Sequence, residues 1–282
     1  MVSLMGLVAD WRACLAMEGA DVRTVLQGVV TNDVDRVRPG QAVYAALLTP
    51  QGKYLHDFFL SEREDGAIRI DCAAARSPDL LRRLMMYCLR RDARVAVEPD
   101  VNVALAWMSG AGEETLSPPS SAETGAAIVV KDPRAAALGI RVYAHDPAAV
   151  LQELNAAAAT QADYSALRIA AGVPESDIEL VADDTYVLEA GFERLNGVDF
   201  RKGCYVGQEV TARMKHKTTL RKGLVRVSVD GEASIGSALQ TAEGKPVGVL
   251  FSQAGGQGLA HVRFDRAEGV LQAGEAEVRL LD

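Results

Sequence analysis

Cys204 stands between two closely spaced glycines in the run Lys202-Gly203-Cys204-Tyr205-Val206-Gly207-Gln208-Glu209. A glycine pair around a thiol implies a tight turn, where backbone approaches another group or adopts positive φ. From Gly207 onward, QEVTARMKHK reads as a short helix with Glu209 in its first turn, where the helix dipole favours an acid. Cys204 then lies just ahead of a helix N-terminus and is flanked by Arg201 and Lys202. Those surroundings depress a thiol pKa and expose a thiolate. The plainer alternative is a small apolar residue in a turn, because free cysteine is usually buried and inert.

Cys88 falls on the apolar stripe of a predicted helix, Cys72 follows a strand, and Cys14 lies among Leu15 and Met17, so packing is the reading for these three. No CxxC occurs, and no Cys-His pair has metal-ligand spacing, so a self-contained metal or cluster site is not expected. His56, His145, His216 and His261 are scattered, and His216 between Lys215 and Lys217 reads as a solvated residue. No GxSxG, P-loop or dinucleotide fingerprint is present. Gly255-Gly256-Gln257-Gly258 reads as a turn between strands. The acids Asp177, Glu179, Asp183, Asp184 and Glu189 form a run that is ordinarily a solvated face; here it could also give one carboxylate to an amino-heterocycle.

The chain that must position these groups has 282 residues, 49% of them apolar, and a formal charge of -8, which suits a large core and excludes disorder. No run of about 18 apolar residues occurs, so no membrane-spanning helix is expected. The N-terminus meets Asp10, Arg12 and Glu18 too early for a secretory signal and lacks transit-peptide composition. A cytoplasmic protein is the expectation. Residues 201–222 hold seven Lys/Arg against Glu209, a balance of +6 that leaves -14 for the rest. Acidic overall charge argues against a general nucleic-acid binder.

The opening stretch up to about Asp35 is expected to form helical pieces around VRTVLQGVVTNDV, with a turn at Arg38-Pro39-Gly40. A hairpin follows at Thr49-Pro50-Gln51-Gly52, then a strand at AIRIDCAA and a helix at DLLRRLMMYCLRR with Leu81, Leu84, Met85 and Cys88 on one stripe, Ser77 as cap and Pro78 in its first turn. Strands RVAVE and VNVALAWMS precede a mobile surface loop over 110–126. A strand pair flanks Asp132-Pro133-Arg134, and helices fit AAVLQELNAAAA and DYSALRIAAG, the second capped by Asp163. After Leu220 short alternating segments punctuated by glycine predict a small antiparallel barrel. The expected division is 1–218 and 219–282.

KGCYVGQE followed by Arg213 resembles the K-G-C-(aromatic)-x-G-Q-E signature of the YgfZ family and its mitochondrial Iba-type relatives. VLQGVVTNDV, AALLTPQGKYLHDFFL, DPRAAALGIR, LRIAAGVPESD and LNGVDF resemble further family blocks in the same order. The family's P-x-E-x-N-L block reads Val187-Leu188-Glu189-Ala190-Gly191-Phe192 here: the acid is kept, the Pro and Asn are not. The resemblance implies an α+β fold shared with the glycine cleavage T-protein, in which mixed α/β units ring a central folate pocket and a C-terminal antiparallel β-barrel follows. It implies an accessory protein for assembly, maturation or repair of iron–sulfur proteins, with tetrahydrofolate or a derivative as cofactor and cluster carriers and client proteins as partners. The functional thiol falls on Cys204, supported by Lys202, Gly203, Tyr205, Gly207, Gln208, Glu209 and Arg213, with Asp177 and Glu189 as folate-binding candidates. The alternatives are a one-carbon (aminomethyl) transferase, which the T-protein kinship raises and which would need Asp177 or Glu189, and an RNA-modification factor, for which one aromatic in the basic stretch is thin support.

Overall fold

The computed structural model describes residues 3–110, 116, 127–217 and 219–281. The surface loop expected over 110–126 lies outside them apart from Gly110 and Leu116, as does Thr218 at the expected domain junction. One five-stranded antiparallel sheet runs β3 (Val43–Leu48), β4 (Tyr54–Glu62), β5 (Ile68–Ala73), β2 (Arg12–Glu18), β6 (Arg94–Val97). A second runs β10 (Ala157–Ala158), β1 (Leu4–Val8), β7 (Asn102–Met108), β9 (Ile140–Ala144), β8 (Ile128–Lys131), with β1 and β10 parallel.

The opening stretch starts with two strands, which corrects the helical reading there, while α1 (Val22–Gln27) and a 3-10 turn at Val34–Arg36 stand within VRTVLQGVVTNDVDR where helical pieces are expected. The reason is burial on both faces. Along β2, Cys14 enters one core while Leu15 and Met17 enter another; along β3, Tyr44, Ala46 and Leu48 face the first core and Val43, Ala45 and Leu47 the second. A strand covered on both sides shows no polar alternation.

Of the longer helices, α2 (Ser77–Tyr87) starts one residue earlier than expected, with Arg76 ahead of it, and buries Leu80 and Leu84. Met85, expected on the core stripe, faces outward. α3 (Pro147–Glu153) is shorter than its alanine-rich sequence suggests, because Asn155 at φ 54° turns the chain into β10. α4 (Gln161–Ala170) is capped by Thr160, not Asp163; Asp163 supplies the reciprocal half of a capping box.

Between the two sheets lies a layer of buried charge. Asp71 on β5 accepts from Arg12 on β2 at 2.7 Å and from Arg141 on β9 at 2.6 Å. Asp132 accepts from Arg134 at 2.8 Å and Arg141 at 3.2 Å. The Arg141 guanidinium lies 3.9 Å from the centre of the Phe59 ring. The side chain of every one of these ions is shielded from solvent, and each has an opposite charge in contact, the condition for burying it at all.

The C-terminal strands close into a barrel: β11 (Lys222–Asp230), β14 (Gln257–Arg263), β13 (Pro246–Ala254), β12 (Ser237–Gln240), β15 (Leu271–Ala273) and β16 (Ala276–Leu280), the last pairing back to β11. Closure leaves no free strand edge. Gly255 and Gly256, both at positive φ, make the β13–β14 turn. The barrel docks through polar contacts: Ser252 on β13 meets Glu179, which pairs with Arg168 of α4 at 3.0 Å.

Candidate functional site

Three stretches far apart in sequence meet around Cys204. The segments on both sides of it are sewn to residues 28–32: Asp199 N donates to Thr31 O (3.0 Å), Thr31 Oγ1 to Gly197 O (2.7 Å), Asn32 Nδ2 to Asn196 O (2.6 Å) and Val206 N to Gly28 O (3.2 Å). The far side of the turn rests on the β3–β4 hairpin. Gly207 has φ 84°, and a Cβ there would meet Thr49 O at 2.6 Å; a Cβ on Gly52, φ 76°, would meet Val210 Cβ at 2.8 Å. These two glycines let hairpin and turn pack backbone to backbone.

Gly203 behaves differently. It is not at positive φ, and a Cβ on it would meet nothing within 4 Å. Only one of the two glycines around Cys204 is thus demanded by the fold, and the other leaves open space beside the thiol.

Lys202 also departs from expectation. Its side chain turns inward, Nζ donating to Val30 O at 2.5 Å and Asn32 O at 2.9 Å. Burial lowers its pKa from 10.5 to about 8, opposed by the carboxylates of Asp33, Asp199 and Asp35. The lysine holds the turn in place and does not present its charge beside Cys204. Arg201, 93% exposed, is the flanking cation that remains in solvent.

Tyr205 is buried in the first core, its hydroxyl pushed up to about 12 by burial against a hydrogen bond with Thr211. Lys202 and Tyr205 both point in, while Cys204 between them is exposed. Of the four cysteines, Cys204 is exposed, Cys88 half-buried, and Cys14 and Cys72 buried. Burial raises the Cys72 thiol to about 12, and that of Cys14 is raised well above its usual value, so neither is a nucleophile.

α5 (Gln208–Lys217) begins directly after Gly207, with Glu209 in its first turn. Its later turns are held by Lys215, which pairs with Glu193, and by His216, whose ring meets Phe200 edge-on at 6.2 Å. Between this helix and Pro50 of the hairpin lies a cleft of about 840 Å³ lined by Tyr205, Gln208, Glu209, Arg213 and His216 among others. Glu209 and Arg213 are both exposed, so the cleft offers an acceptor and a cation.

The structure does not bring Asp177 or Glu189 to this cleft by any of their ion pairs. Asp177, at φ 63°, binds Arg76 at 2.7 Å. Glu189 sits at the barrel seam, 3.4 Å from Lys222 Nζ and 3.5 Å from His261 Nε2, while its carbonyl accepts from Leu224 N. Burial works against its ionised form, but His261 and Lys222 outweigh that and hold its carboxyl below the usual range. Sequence reading passed over Asp57, a buried acid on β4 that accepts from Tyr54 (2.7 Å), Ser176 (2.5 Å) and Tyr44 (3.0 Å). Nothing in its spacing distinguishes it from its neighbours, since its hydroxyl partners come from three separate segments.

Residues 221–282 match the family model for the CAF17 C-terminal beta-barrel domain. The chain is 30% identical to the mitochondrial iron-sulfur cluster assembly factor IBA57 of Mus musculus, over 96% of this chain and 81% of that protein. It is 30% identical to that of Homo sapiens over 95% and 80%. A mitochondrial IBA57 homolog of Mycosarcoma maydis is 33% identical over 77% of this chain but only 55% of its own length. The glycine cleavage system aminomethyltransferase T of Bartonella henselae superposes with a TM-score of 0.80, covering 99% of this chain and 85% of that one at 14% identity, which shows a common fold. The cytoplasmic placement expected from the N-terminus is corrected by these relatives, whose names assign them to the mitochondrion.

Proposed function

Because the chain belongs to the IBA57 family of iron–sulfur cluster assembly factors, we propose that it works in iron–sulfur cluster assembly by presenting the Cys204 thiol to a cluster or cluster-bearing partner. The observation that carries this reading is the outward display of Cys204 on a turn whose neighbours, Lys202 and Tyr205, are locked inward. One thiolate can supply one ligand to iron, so the partner protein brings the others; a four-cysteine site cannot be built from this chain's scattered thiols. When its sulfur donates a lone pair to iron, the thiol proton passes to water as the Fe–S bond forms.

Tetrahydrofolate or a derivative fits the cleft beside the thiol by its donor set. Glu209 and Gln208 can accept from the amino edge of a pteridine, and Arg213 can pair with a glutamyl carboxylate in charge-assisted hydrogen bonds. Bound there, the cofactor would supply a reduced pteridine able to carry one-carbon units. Asp177 and Glu189 are committed to Arg76 and to the barrel seam, which weighs against the transferase reading. Tyr205 lies in the core and is not offered for base stacking, which weighs against the RNA reading.

Cys204→Ser, expressed in a strain lacking the endogenous gene, is expected to leave iron–sulfur enzyme activity unrestored although the protein folds. Full restoration would refute the thiol's role. Titration with tetrahydrofolate checks the cleft separately: Arg213→Ala is expected to weaken binding about tenfold, the loss of one charge-assisted contact. Unchanged affinity would remove the ligand from this cleft.

A further inference from the structure

α2 and the turn that follows it carry more apolar residues than the fold uses. Leu80 and Leu84 are buried, and Leu81 and Cys88 pack partly against the same core. On the other side Met85, Met86 and Leu89 stand 55%, 58% and 72% exposed. Ten large apolar side chains are exposed among the described residues, and these three fall within five positions of one another; a fourth, Val97, is on β6, the edge strand packed against α2. Single exposed apolar residues are ordinary, whereas a cluster marks a contact surface.

The surrounding charge says what kind of contact. Residues 82–94 contain five arginines and one acid, Asp92, a balance of +4 in a chain of -8. Arg82 and Arg83 are answered by Asp79 within the helix. Arg90, Arg91 and Arg94 are exposed, and no ion pair is formed by them among the described residues. All five cations are arginine and none is lysine. The guanidinium fork takes carboxylates two hydrogen bonds at a time and is enriched in protein interfaces, from which lysine is depleted. Methionine adds an adaptable, polarisable surface.

We propose that the outer face of α2, with the arginines that follow it, docks an acidic protein segment bearing apolar side chains. The apolar side chains of that segment lie on Met85, Met86 and Leu89, and its carboxylates pair with Arg90, Arg91 and Arg94. This is a second contact surface, on elements separate from the Cys204 turn, and it stands whether or not the thiol reading does. The patch holds two methionines on the last turn of an eleven-residue helix and Leu89 just beyond it, too small an apolar face, without Trp or Phe, for a surface-lying membrane helix, so a protein is favoured over a bilayer.

The probe is a fluorescent amphipathic peptide with leucine on one face and glutamate on the other, titrated into the full-length protein. Binding with Kd on the order of 100 µM or tighter is expected, weakening steeply with salt. Arg90→Glu/Arg91→Glu should weaken it at least about tenfold, as charge reversal does at a complementary surface. Met86→Ser/Leu89→Ser should do the same, and Cys204→Ser should leave it unchanged. All substituted side chains are exposed, so melting temperatures should be retained. Equal binding by wild type and the charge-reversed variant overturns the proposal. So does preferential binding to phosphatidylglycerol vesicles, which would make the patch a lipid site. Concentration-dependent dimerisation abolished by the same variants would make it a self-contact and would also overturn it.

Discussion

Replacing Lys202 with methionine tests the claim that this lysine is a buried tether. The methionine keeps the length of the stem and removes the ammonium, leaving Val30 O and Asn32 O without their donor. At about 1–3 kcal/mol for each buried acceptor left unpaired, the variant should be about 2–6 kcal/mol less stable at pH 7. The pH dependence is the sharper consequence. The folded lysine titrates at about 8 and the unfolded one at 10.5, so between these values the unfolded chain holds a proton that the folded chain has released. Stability therefore rises with pH across that window and is lost again as pH falls through about 8. The full interval is worth about 3 kcal/mol at roughly 1.4 kcal/mol per pH unit. Urea unfolding of wild type and Lys202→Met at intervals from pH 7 to 10.5 isolates the contribution, because every other titrating group cancels in the difference. The stability gap should widen steadily toward alkaline pH. A gap that stays constant or narrows would refute the assignment of a buried, burial-perturbed ammonium.

Gly207→Ala should cost about 2 kcal/mol or more, since it combines positive φ with a 2.6 Å approach to Thr49 O, whereas Gly203→Ala should change the melting midpoint little. Comparable losses in the two melts would contradict the contrast between these glycines. Asp71→Asn removes the charge that answers Arg12 and Arg141 and should destabilise by about 3–5 kcal/mol in denaturant unfolding. Glu189 has a folded pKa below its ordinary 4.5, so its contribution is present above that value and disappears as pH falls through the folded one. Glu189→Gln should therefore be less stable than wild type at pH 7, by a margin that shrinks as the pH falls below 4.5, with faster hydrogen exchange in β11 at neutral pH.

The barrel was legible because its strands alternate apolar and polar residues between glycine turns: Val225, Val227 and Val229 take one face of β11 with polar residues between. The short helix after Gly207 and the outward thiol were legible for similarly local reasons. β1 and β2 were not, since both of their faces are covered and their composition carries no period of two. Met85 was placed inward because its spacing suits the stripe, but spacing does not reveal how wide a face the neighbouring sheet can cover. Lys202 was read as a cation beside Cys204 because adjacency in sequence is visible and the carbonyls of Val30 and Asn32, about 170 positions away, are not. Glu189 and Asp177 were read as free acids for the same reason, their cationic partners lying on other elements.

The charge layer around Phe59 bears on how the chain reaches its folded state. Arg12, Asp57 and Asp71 come from β2, β4 and β5 and sum to -1; Asp132 and Arg134 from the β8–β9 connection and Arg141 from β9 sum to +1. Each half carries an unbalanced ion into its interior until the other half arrives. Partial folding is thereby penalised, and the two sheets are obliged to form together. A chain cut between Met108 and Ile128 should accordingly yield two fragments in which neither five-stranded sheet forms alone, the barrel aside, and both form on mixing.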